Sequence, residues 1–455
     1  MSRTIAALAT PAGQGGIAVV RISGEQAAEV ASAVFAPANT QKSLHTAKGY
    51  TAMFGYFIKD GKRCDEVVAL TFRAPHSYTG EDVVELSCHG GNAVSASLLR
   101  AVYNAGAQPA AAGEFTKRAL LNGRISLTQA EAVMDIINAS GADGARAAAA
   151  AMQGALYQKI HAVQENLLTL AGHIAAYTDY PEEDVPALEM HELLHNLQQS
   201  SAVLQQLIEN YDTGAVLRRG VQTAIVGSPN VGKSTLLNLL SGFERAIVTP
   251  IAGTTRDVVE QEVSLGGVRL LLADTAGLRE TQDVVEAEGI RRSQAQMETS
   301  GLILAVFDAS CEITAADMEL AQQCAQRRAI AIVNKTDLPR KFAQEQIAPY
   351  FSAVISGSAT RAEFSAQIAA AVQKVLGLTA FDADAAMLAN ERQLAAAKQA
   401  AAALAAAEKA VTIGITLDAV GVCIDDAHKA LVALTGEDAT EDVINEVFSK
   451  FCVGK

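Results

Sequence analysis

The sequence lacks any long uninterrupted apolar run, although 50% of its 455 residues are hydrophobic. No stretch reaches the roughly 18 to 20 apolar residues that a helix needs to cross a bilayer. This absence argues against a membrane-embedded class such as a nucleotide-gated transporter, and it predicts no membrane partner. Residues 1–24 contain a strand-like stretch, Ile17–Ile22, but no basic segment followed by an apolar one and a small-residue cleavage site. We therefore expect a cytoplasmic protein.

Cysteine is scarce and basic charge is in deficit. The six cysteines include no CxxC pair and no zinc-spaced cluster with histidine, which fits a reducing compartment. The formal net charge of −14 disfavours a surface that coats nucleic acid without specificity, because neutralising phosphates requires clustered lysine and arginine. A nucleic-acid substrate would need a local basic patch or the surface of a partner.

The length and the changes in periodicity predict about three domains of ~100 to 200 residues each. Residues 1–115 mix strand-like runs with glycine-rich turns, which indicates an α+β domain. Residues 116–216 and 377–455 show helical periodicity, whereas residues 217–376 alternate short apolar runs with helical segments. The simplest fold class that fits this segmentation is multidomain. It has an α+β N-terminal domain and a discontinuous α-helical domain that is interrupted by an inserted α/β nucleotide-binding domain.

Individual elements follow from the same patterns. One long helix carries apolar residues on one face from Ile160 to Ile174, and Pro181 should end it, because proline disfavours helical geometry in the residue before it. The apolar runs predicted as strands are Ile17–Ile22, Val67–Phe72, Val83–Leu86, Thr223–Val226, Arg269–Ala273, Leu302–Phe307, Ala329–Val333 and Ser352–Ile355.

A phosphate-binding loop is the clearest single motif. Residues 227–234 read GSPNVGKS, follow an apolar strand and open onto a leucine-rich helix. The glycines let backbone amides surround phosphates, the Lys233 ammonium neutralises the terminal ones, and the Ser234 hydroxyl suits magnesium. Standing alone, the motif could be an accidental glycine-rich turn.

Two further motifs occur in the order expected of a GTPase, each at the end of a predicted strand. Residues 274–277 read DTAG and place a carboxylate near the magnesium, and residues 334–337 read NKTD. Asp337 would accept hydrogen bonds from the N1 and exocyclic amine of guanine. Adenine presents an acceptor at N1 and would leave that carboxylate unpaired, so the nucleotide is predicted to be GTP.

The switch region between these motifs leaves alternatives open. Thr254–Asp257 either supplies the switch threonine that senses the terminal phosphate or is an ordinary loop cap. Leu278 stands where many GTPases have a water-orienting glutamine, and leucine cannot orient water. The acidic stretch 280–288 is the nearest source of a carboxylate, although it also has the composition of a solvated, mobile face.

Segments along nearly the whole chain resemble the bacterial and organellar tRNA modification GTPases of the MnmE (TrmE) family. The distinctive segments are ATPAGQGG at 9–16, RISG at 21–24, SYTGED at 77–82, HGG at 89–91, GEFTKRA at 113–119 and FCVGK at 451–455. The resemblance implies a homodimer built through the N-terminal domain. It also implies GTPase domains that approach each other across their switches when GTP and potassium are bound.

The motifs and the resemblance together imply a GTP site with two cations. GTP would contact Asn230, Val231, Gly232, Lys233, Ser234, Thr235, Thr249, Pro250, Ile251, Ala252, Gly253, Thr254, Thr255, Asp274, Thr275, Ala276, Gly277, Asn334, Lys335, Asp337, Ser358 and Ala359. Magnesium would be held by Ser234 and Thr255. Potassium would be held by Asn230, Thr249, Ile251 and Thr254. Glu286 would orient the attacking water, with Arg279 and Lys233 supporting catalysis. The loop at 356–359 aligns in more than one register.

The resemblance further implies that the N-terminal domain binds a formyl- or methylene-tetrahydrofolate as one-carbon donor. Its contacts would come from Arg21, Glu85, Arg124 and Lys455. Relatives often have lysine at position 124, and the arginine of this chain keeps the positive charge but changes its geometry. Glu85 suits the pterin amino and ring nitrogen groups, although Arg21 and Glu85 taken alone would be ordinary strand-end surface residues. Cys452 near the folate site is either a catalytic nucleophile or a structural thiol.

The function implied by the resemblance is GTP-driven modification of C5 of the tRNA wobble uridine to an aminomethyl-type group. A partner of the glucose-inhibited-division (MnmG) family would carry a flavin, forming a hetero-oligomer. The alternative is a GTP-regulated binding switch, such as a ribosome-assembly factor with the same phosphate loop and no folate chemistry. Folate binding separates the two.

Overall fold

The computed structural model describes residues 3–11, 13–139, 141–179, 189–242, 261–272, 296–379, 382, 384–449 and 451–455. The chain divides into two compact units. The first contains Met1–Met134 together with Lys429–Lys455, and the second contains Asp135–His428.

The first unit is built on a seven-stranded sheet in the order β3-β4-β5-β6-β2-β1-β7. All neighbours are antiparallel except β1 and β7, which are parallel. One face packs on two helices through residues such as Val20, Leu86 and Leu98, which are fully buried. The strands are β1 (Ile5–Leu8), β2 (Ile17–Ser23), β3 (Phe35–Pro37), β4 (Thr51–Lys59), β5 (Lys62–Phe72), β6 (Val83–His89) and β7 (Gln108–Pro109).

The helices of the first unit come from both ends of the chain. A small apolar cluster joins Ala130 and Val133 to Ile444, Phe448 and Phe451, so the C-terminal segment packs on the end of the N-terminal one. The helices are α1 (Ala27–Val34), α2 (Asn92–Asn104), α3 (Glu114–Leu121), the start of α4 (Leu127–Asn138), the end of α13 (Leu417–Thr435) and α14 (Glu441–Ser449).

The second unit contains a group of long helices from two separate parts of the chain. The amphipathic patterns produce α5 (Ala142–Met152), α6 (Ala155–Asp179), α7 (Met190–Glu209), α8 (Tyr211–Arg219) and α12 (Glu391–Thr412). Helices α7 and α12 pack against each other. The Tyr211 hydroxyl donates to the Glu391 carboxylate at 3.0 Å, and the buried Arg218 donates to the Leu388 carbonyl, so the two parts are joined by polar contacts as well.

The same unit contains a six-stranded sheet in the order β13-β12-β11-β8-β10-β9. Every neighbouring pair is parallel except β9 and β10, which form a hairpin. Buried apolar side chains cover both faces, which explains the near-continuous hydrophobic runs. Its elements are β8 (Val221–Val226), α9 (Lys233–Ser241), β9 (Gln261–Leu265), β10 (Val268–Leu272), β11 (Leu302–Asp308), α10 (Ala315–Cys324), β12 (Ala329–Asn334), β13 (Ala353–Ser356) and α11 (Phe364–Val375).

The elements predicted from periodicity are present at the expected places. The eight predicted strands correspond to β2, β5, β6, β8, β10, β11, β12 and β13, and the helix predicted over Ile160–Ile174 is α6. The predicted break at Pro181 lies outside the described residues. Within the described residues no helix combines the length and apolar character needed to span a bilayer. All six cysteines are free thiols.

Candidate nucleotide and N-terminal sites

The loop between β8 and α9 has a backbone that suits the phosphate motif. Asn230 and Gly232 adopt positive φ angles of 63° and 100°. A Cβ on Gly232 would lie 2.3 Å from the Nδ2 atom of Asn334, so only glycine fits. The loop leads directly into the N-terminus of α9, and the end of a helix at which backbone N–H groups point outward favours an anion. Val231 is buried, and Ser234 and Thr235 are exposed in the first turn.

Lys233 lies within this loop. Its Nζ atom donates to the carbonyl oxygens of Gly227 and Ser228, both at 2.8 Å. Burial lowers the pKa of Lys233, because the charged form is partly removed from water. The ammonium group is therefore held against the loop.

Asn334 joins three loops at the carboxyl edge of the sheet. Its Nδ2 atom donates to the Val231 carbonyl at 2.9 Å, and its Oδ1 atom accepts from the Ala359 amide at 2.8 Å. Asn334 is 3% exposed, so both hydrogen bonds are shielded from water. These contacts bring the predicted phosphate and guanine residues together, and they place Ala359 next to the guanine motif.

Asp337 lies on the open side of this edge and is exposed. A hydrogen bond from the buried Ser358 is the main cause that lowers the pKa of Asp337. The carboxylate is therefore anionic near neutral pH and can accept two hydrogen bonds from a guanine edge. Ser358 supports Asp337 while Ala359 anchors Asn334.

Lys335 makes a contact that the sequence reasoning missed. Its Nζ atom donates to the Asn230 carbonyl and to the Asp308 carboxylate, each at 2.6 Å. Burial alone would raise the pKa of Asp308, but hydrogen bonds from Lys335 and Ser310 outweigh it and the pKa is lowered. Asp308 ends β11 as Asn334 ends β12, and this position at a buried strand end was the signal that could have identified it.

The remaining nucleotide and switch residues lie outside the described residues, so their predicted roles stay predictions. They are Thr249, Pro250, Ile251, Ala252, Gly253, Thr254, Thr255, Asp274, Thr275, Ala276, Gly277, Arg279 and Glu286.

In the first unit, Arg21 and Glu85 face each other on adjacent strands. They are register partners on β2 and β6, and Arg21 Nε donates to Glu85 Oε1 at 2.8 Å. The guanidinium also lies over the rings of Tyr78 and Phe115, with its central carbon 5.4 and 5.6 Å from the ring centroids. The arrangement is an ordered cation and anion beside two aromatic rings.

The other predicted folate residues lie around the same rings. The Phe115 amide donates to the Lys455 carbonyl at 3.2 Å, and the Gly113 amide donates to the Cys452 carbonyl at 3.2 Å. Arg124 Nε donates to the carbonyl of Ser77, the residue before Tyr78, at 3.2 Å. Arg21 pairs with Glu85 beside the two rings, while Arg124 and Lys455 bond the backbone of the segments that carry Tyr78 and Phe115. The Cys452 thiol is exposed on the same tail.

Comparison with known proteins gives a consistent result along the chain. Residues 4–124 match the family described as "GTP-binding protein TrmE N-terminus", and residues 127–452 match "MnmE helical domain". The protein "tRNA modification GTPase MnmE" of Lactococcus lactis subsp. cremoris strain MG1363 is 39% identical over 454 residues, covering 99% of this chain and 98% of that protein. The protein of the same name from Symbiobacterium thermophilum is 41% identical over 456 residues, covering 99% of both.

Among solved structures, a variant of Era from Aquifex aeolicus bound to GDP and AlF4− is 27% identical. The match covers 40% of this chain and 66% of that one, with a TM-score of 0.25. A TM-score this low supports no conclusion about the chain.

Proposed function

The chain belongs to the MnmE family of tRNA modification GTPases, and from this premise we propose that it is a potassium-stimulated GTPase that uses a tetrahydrofolate one-carbon unit. It is a GTP hydrolase that takes part in tRNA modification. The proposed product is an aminomethyl-type group on C5 of the wobble uridine. An MnmG-family flavoprotein would be the partner, with the flavin on that partner.

The guanine end of the site is supported by the contacts among Asn334, Asp337 and Ser358. Asp337 is held as an anion, so it can accept from the N1 and amine groups of guanine and would be left unpaired by adenine. Asn334 fixes the distance between this carboxylate and the phosphate loop through its bond to Val231. The predicted order of preference is GTP over ATP.

The phosphate end suits hard cations bound by oxygen. The proposed ligands are hydroxyl, amide and backbone oxygens together with phosphate, which are donors that magnesium and potassium prefer. Ser234 with Thr255 would hold magnesium, and Asn230 with Thr249, Ile251 and Thr254 would hold potassium. When bound, these cations offset negative charge on the transferring phosphate. Lys233 would bind the terminal phosphates, while Glu286 orients water and Arg279 supports it.

The N-terminal site suits a pterin with an anionic tail. Glu85 gives one oxygen to Arg21, and a carboxylate has about four acceptor positions, so it retains capacity for the pterin amino and ring nitrogen groups. The rings of Tyr78 and the fully buried Phe115 pack near the Arg21 guanidinium and help to hold the pair in place. Arg124 and Lys455 supply positive charge for carboxylates. Cys452 lies on the same tail and is a candidate catalytic thiol.

We further propose the assembly that this chemistry requires. A homodimer would form through the N-terminal domain (residues 1–115), and residues 116–216 and 377–455 would form one helical domain interrupted by the GTPase domain (217–376). Packing of α7 on α12 supports the discontinuous helical domain. With a net charge of −14, much of the tRNA-binding surface would come from the partner. The expected location is the cytoplasm, where tRNA is modified.

The observation that carries the GTPase half is the Asn334 bridge between the phosphate and guanine loops. The test is GTP hydrolysis by the purified protein in potassium and in sodium buffer at equal ionic strength, with Asn230→Ala alongside. A strong potassium preference that disappears in the variant supports the mechanism. Equal rates in both salts would refute potassium stimulation and leave the GTPase assignment intact.

A second assay separates the folate chemistry from a ribosome-type switch. Binding of 5-formyl-tetrahydrofolate to the intact protein is measured calorimetrically, with Arg21→Ala as the comparison. Binding that is lost in the variant supports the tRNA-modifying function. Absence of binding by the wild-type protein would favour a GTP-regulated switch without folate chemistry.

A further inference from the structure

A charged contact links the guanine side of the nucleotide site to the phosphate loop. Asp308 and Asn334 are register partners at the ends of the parallel strands β11 and β12, so Lys335 comes next to Asp308 at the same sheet edge. The Lys335 ammonium donates to the Asp308 carboxylate and to the Asn230 carbonyl, both at 2.6 Å. One side chain thus connects a strand end to the loop that faces the phosphates.

The orientation of Asp308 is itself fixed. Its Oδ1 atom accepts from the amide and the hydroxyl of Ser310, at 2.9 and 2.6 Å, which leaves Oδ2 directed at Lys335. The Asp308 side chain is 13% exposed, against 32% for Lys335. The carboxylate is therefore the more rigid and better shielded member of the pair, and the lysine takes its position from it.

Lys335 and Asn230, the residue whose carbonyl it holds, both have unusual backbones. Asn230 and Lys335 each have a φ of 63°, in the left-handed region that side chains with a Cβ rarely adopt. Such conformations persist where surrounding contacts enforce them, and they concentrate at functional sites. Here the Lys335 ammonium hydrogen-bonds the Asn230 carbonyl and the Asp308 carboxylate at once, so it connects the two left-handed residues to the strand end.

We propose that Asp308 is a positioning residue of the nucleotide site. Through Lys335 it holds the carbonyl of Asn230, and so it sets the phosphate loop relative to the guanine motif and orients the side chain of Asn230. The second part rests on the proposed function, in which Asn230 is a potassium ligand. Asp308 touches neither nucleotide nor cation in this scheme.

The test compares wild-type protein with Asp308→Asn and with Glu262→Gln. The control variant loses a carboxylate that pairs with Arg269 in the same sheet, without contact to Asn230 or Lys335. Three quantities are measured on the full chain: the dissociation constant of a fluorescent GDP in sodium buffer, the potassium concentration that half-activates hydrolysis, and the Tm. Asp308→Asn should weaken GDP binding and raise the half-activating potassium concentration, each by about tenfold, as for loss of a charged hydrogen bond.

A double-mutant cycle shows whether Asp308 acts through Lys335. Lys335→Met alone should weaken GDP binding, and adding Asp308→Asn to it should weaken GDP binding no further. The proposal would be overturned if the two substitutions weakened GDP binding additively. It would also be overturned if Asp308→Asn bound GDP as well as Glu262→Gln does, or if its weaker GDP binding came with a lowered Tm. If Asp308→Asn changed GDP affinity but left the half-activating potassium concentration unaltered, the proposed effect of Asp308 on the Asn230 side chain would be overturned. Potassium-independent hydrolysis by the wild-type protein would instead refute the potassium stimulation in the proposed function, and GDP affinity would still decide the role of Asp308.

Discussion

The two candidate sites are built in different ways. The nucleotide site is made of loops at one edge of a parallel sheet, and backbone groups carry much of its structure, as in the Asn334 contacts to Val231 and Ala359. The N-terminal site is made of side chains on an antiparallel sheet, where Arg21 and Glu85 pair across strands and the C-terminal tail completes the set. A site of the first kind is encoded in short motifs, whereas one of the second kind depends on contacts distant in sequence.

Lys233→Ala should give the largest difference between the two sites, because it should lower GTP hydrolysis and leave folate affinity unchanged. Loss of one preorganised charge at a transferring phosphate typically costs about 10²- to 10³-fold in turnover, and we expect a fall of that size in GTP hydrolysis. Folate affinity of the same variant should be unchanged. Hydrolysis is measured by phosphate release at saturating GTP, with exposed Lys341→Ala as the control cation. A variant that retained hydrolysis would show that Lys233 does not act on the phosphates.

The difference between local motifs and contacts distant in sequence explains which site residues could be predicted from the sequence. Residues 227–234 and 334–337 identified their own positions because each motif ends a buried strand and carries its chemistry locally. Asp308 was missed: its position at a buried strand end was a usable signal, but its contact with Lys335 depends on β11 lying beside β12, which no local pattern records. The rings of Tyr78 and Phe115 were missed for the same reason. The folate set came from family resemblance, and spacing alone would have left Glu85 as a surface residue.

The complementary variant is Glu85→Gln in the N-terminal site. It removes the charge that pairs with Arg21 and the acceptor proposed for the pterin, so folate affinity should fall by roughly ten- to a hundredfold, as for charge-assisted hydrogen bonds. GTP hydrolysis should stay at the wild-type rate. Titration calorimetry with 5-formyl-tetrahydrofolate measures the loss. Asp65→Asn removes a carboxylate from another ion pair of the same sheet and should bind folate normally; an equal loss in both variants would indicate general damage to the sheet.

The dependence of the N-terminal site on distant contacts is tested by Gly454→Ala in the tail. Gly454 has a φ of 99°, and an added Cβ would lie 2.3 Å from the Leu8 carbonyl oxygen, a backbone atom that cannot move away freely. Backbone strain and overpacking should destabilise the docking of the C-terminal tail by about 1 to 3 kcal/mol. Folate affinity should fall severalfold as Lys455 is displaced. Gly123→Ala is the matched control, because its φ is 67° with no atom within 4 Å of the added Cβ.

The smallest expected effect is a pH dependence confined to the first unit. A hydrogen bond that His89 Nδ1 donates to Asp65 Oδ1 raises the pKa of His89 above its ordinary value of 6.5, and the two atoms lie 2.6 Å apart. Because the folded state binds the proton more tightly than the unfolded state, the stabilisation is complete below pH 6.5 and is lost as the pH rises through the raised pKa. The Tm difference between wild type and His89→Gln should therefore be largest in mild acid and shrink toward alkaline pH. Since His89 is exposed, the difference should be small and weaken with salt. GTP hydrolysis should show no matching change, because His89 and Asp65 belong to the sheet of the first unit and the nucleotide site belongs to the second.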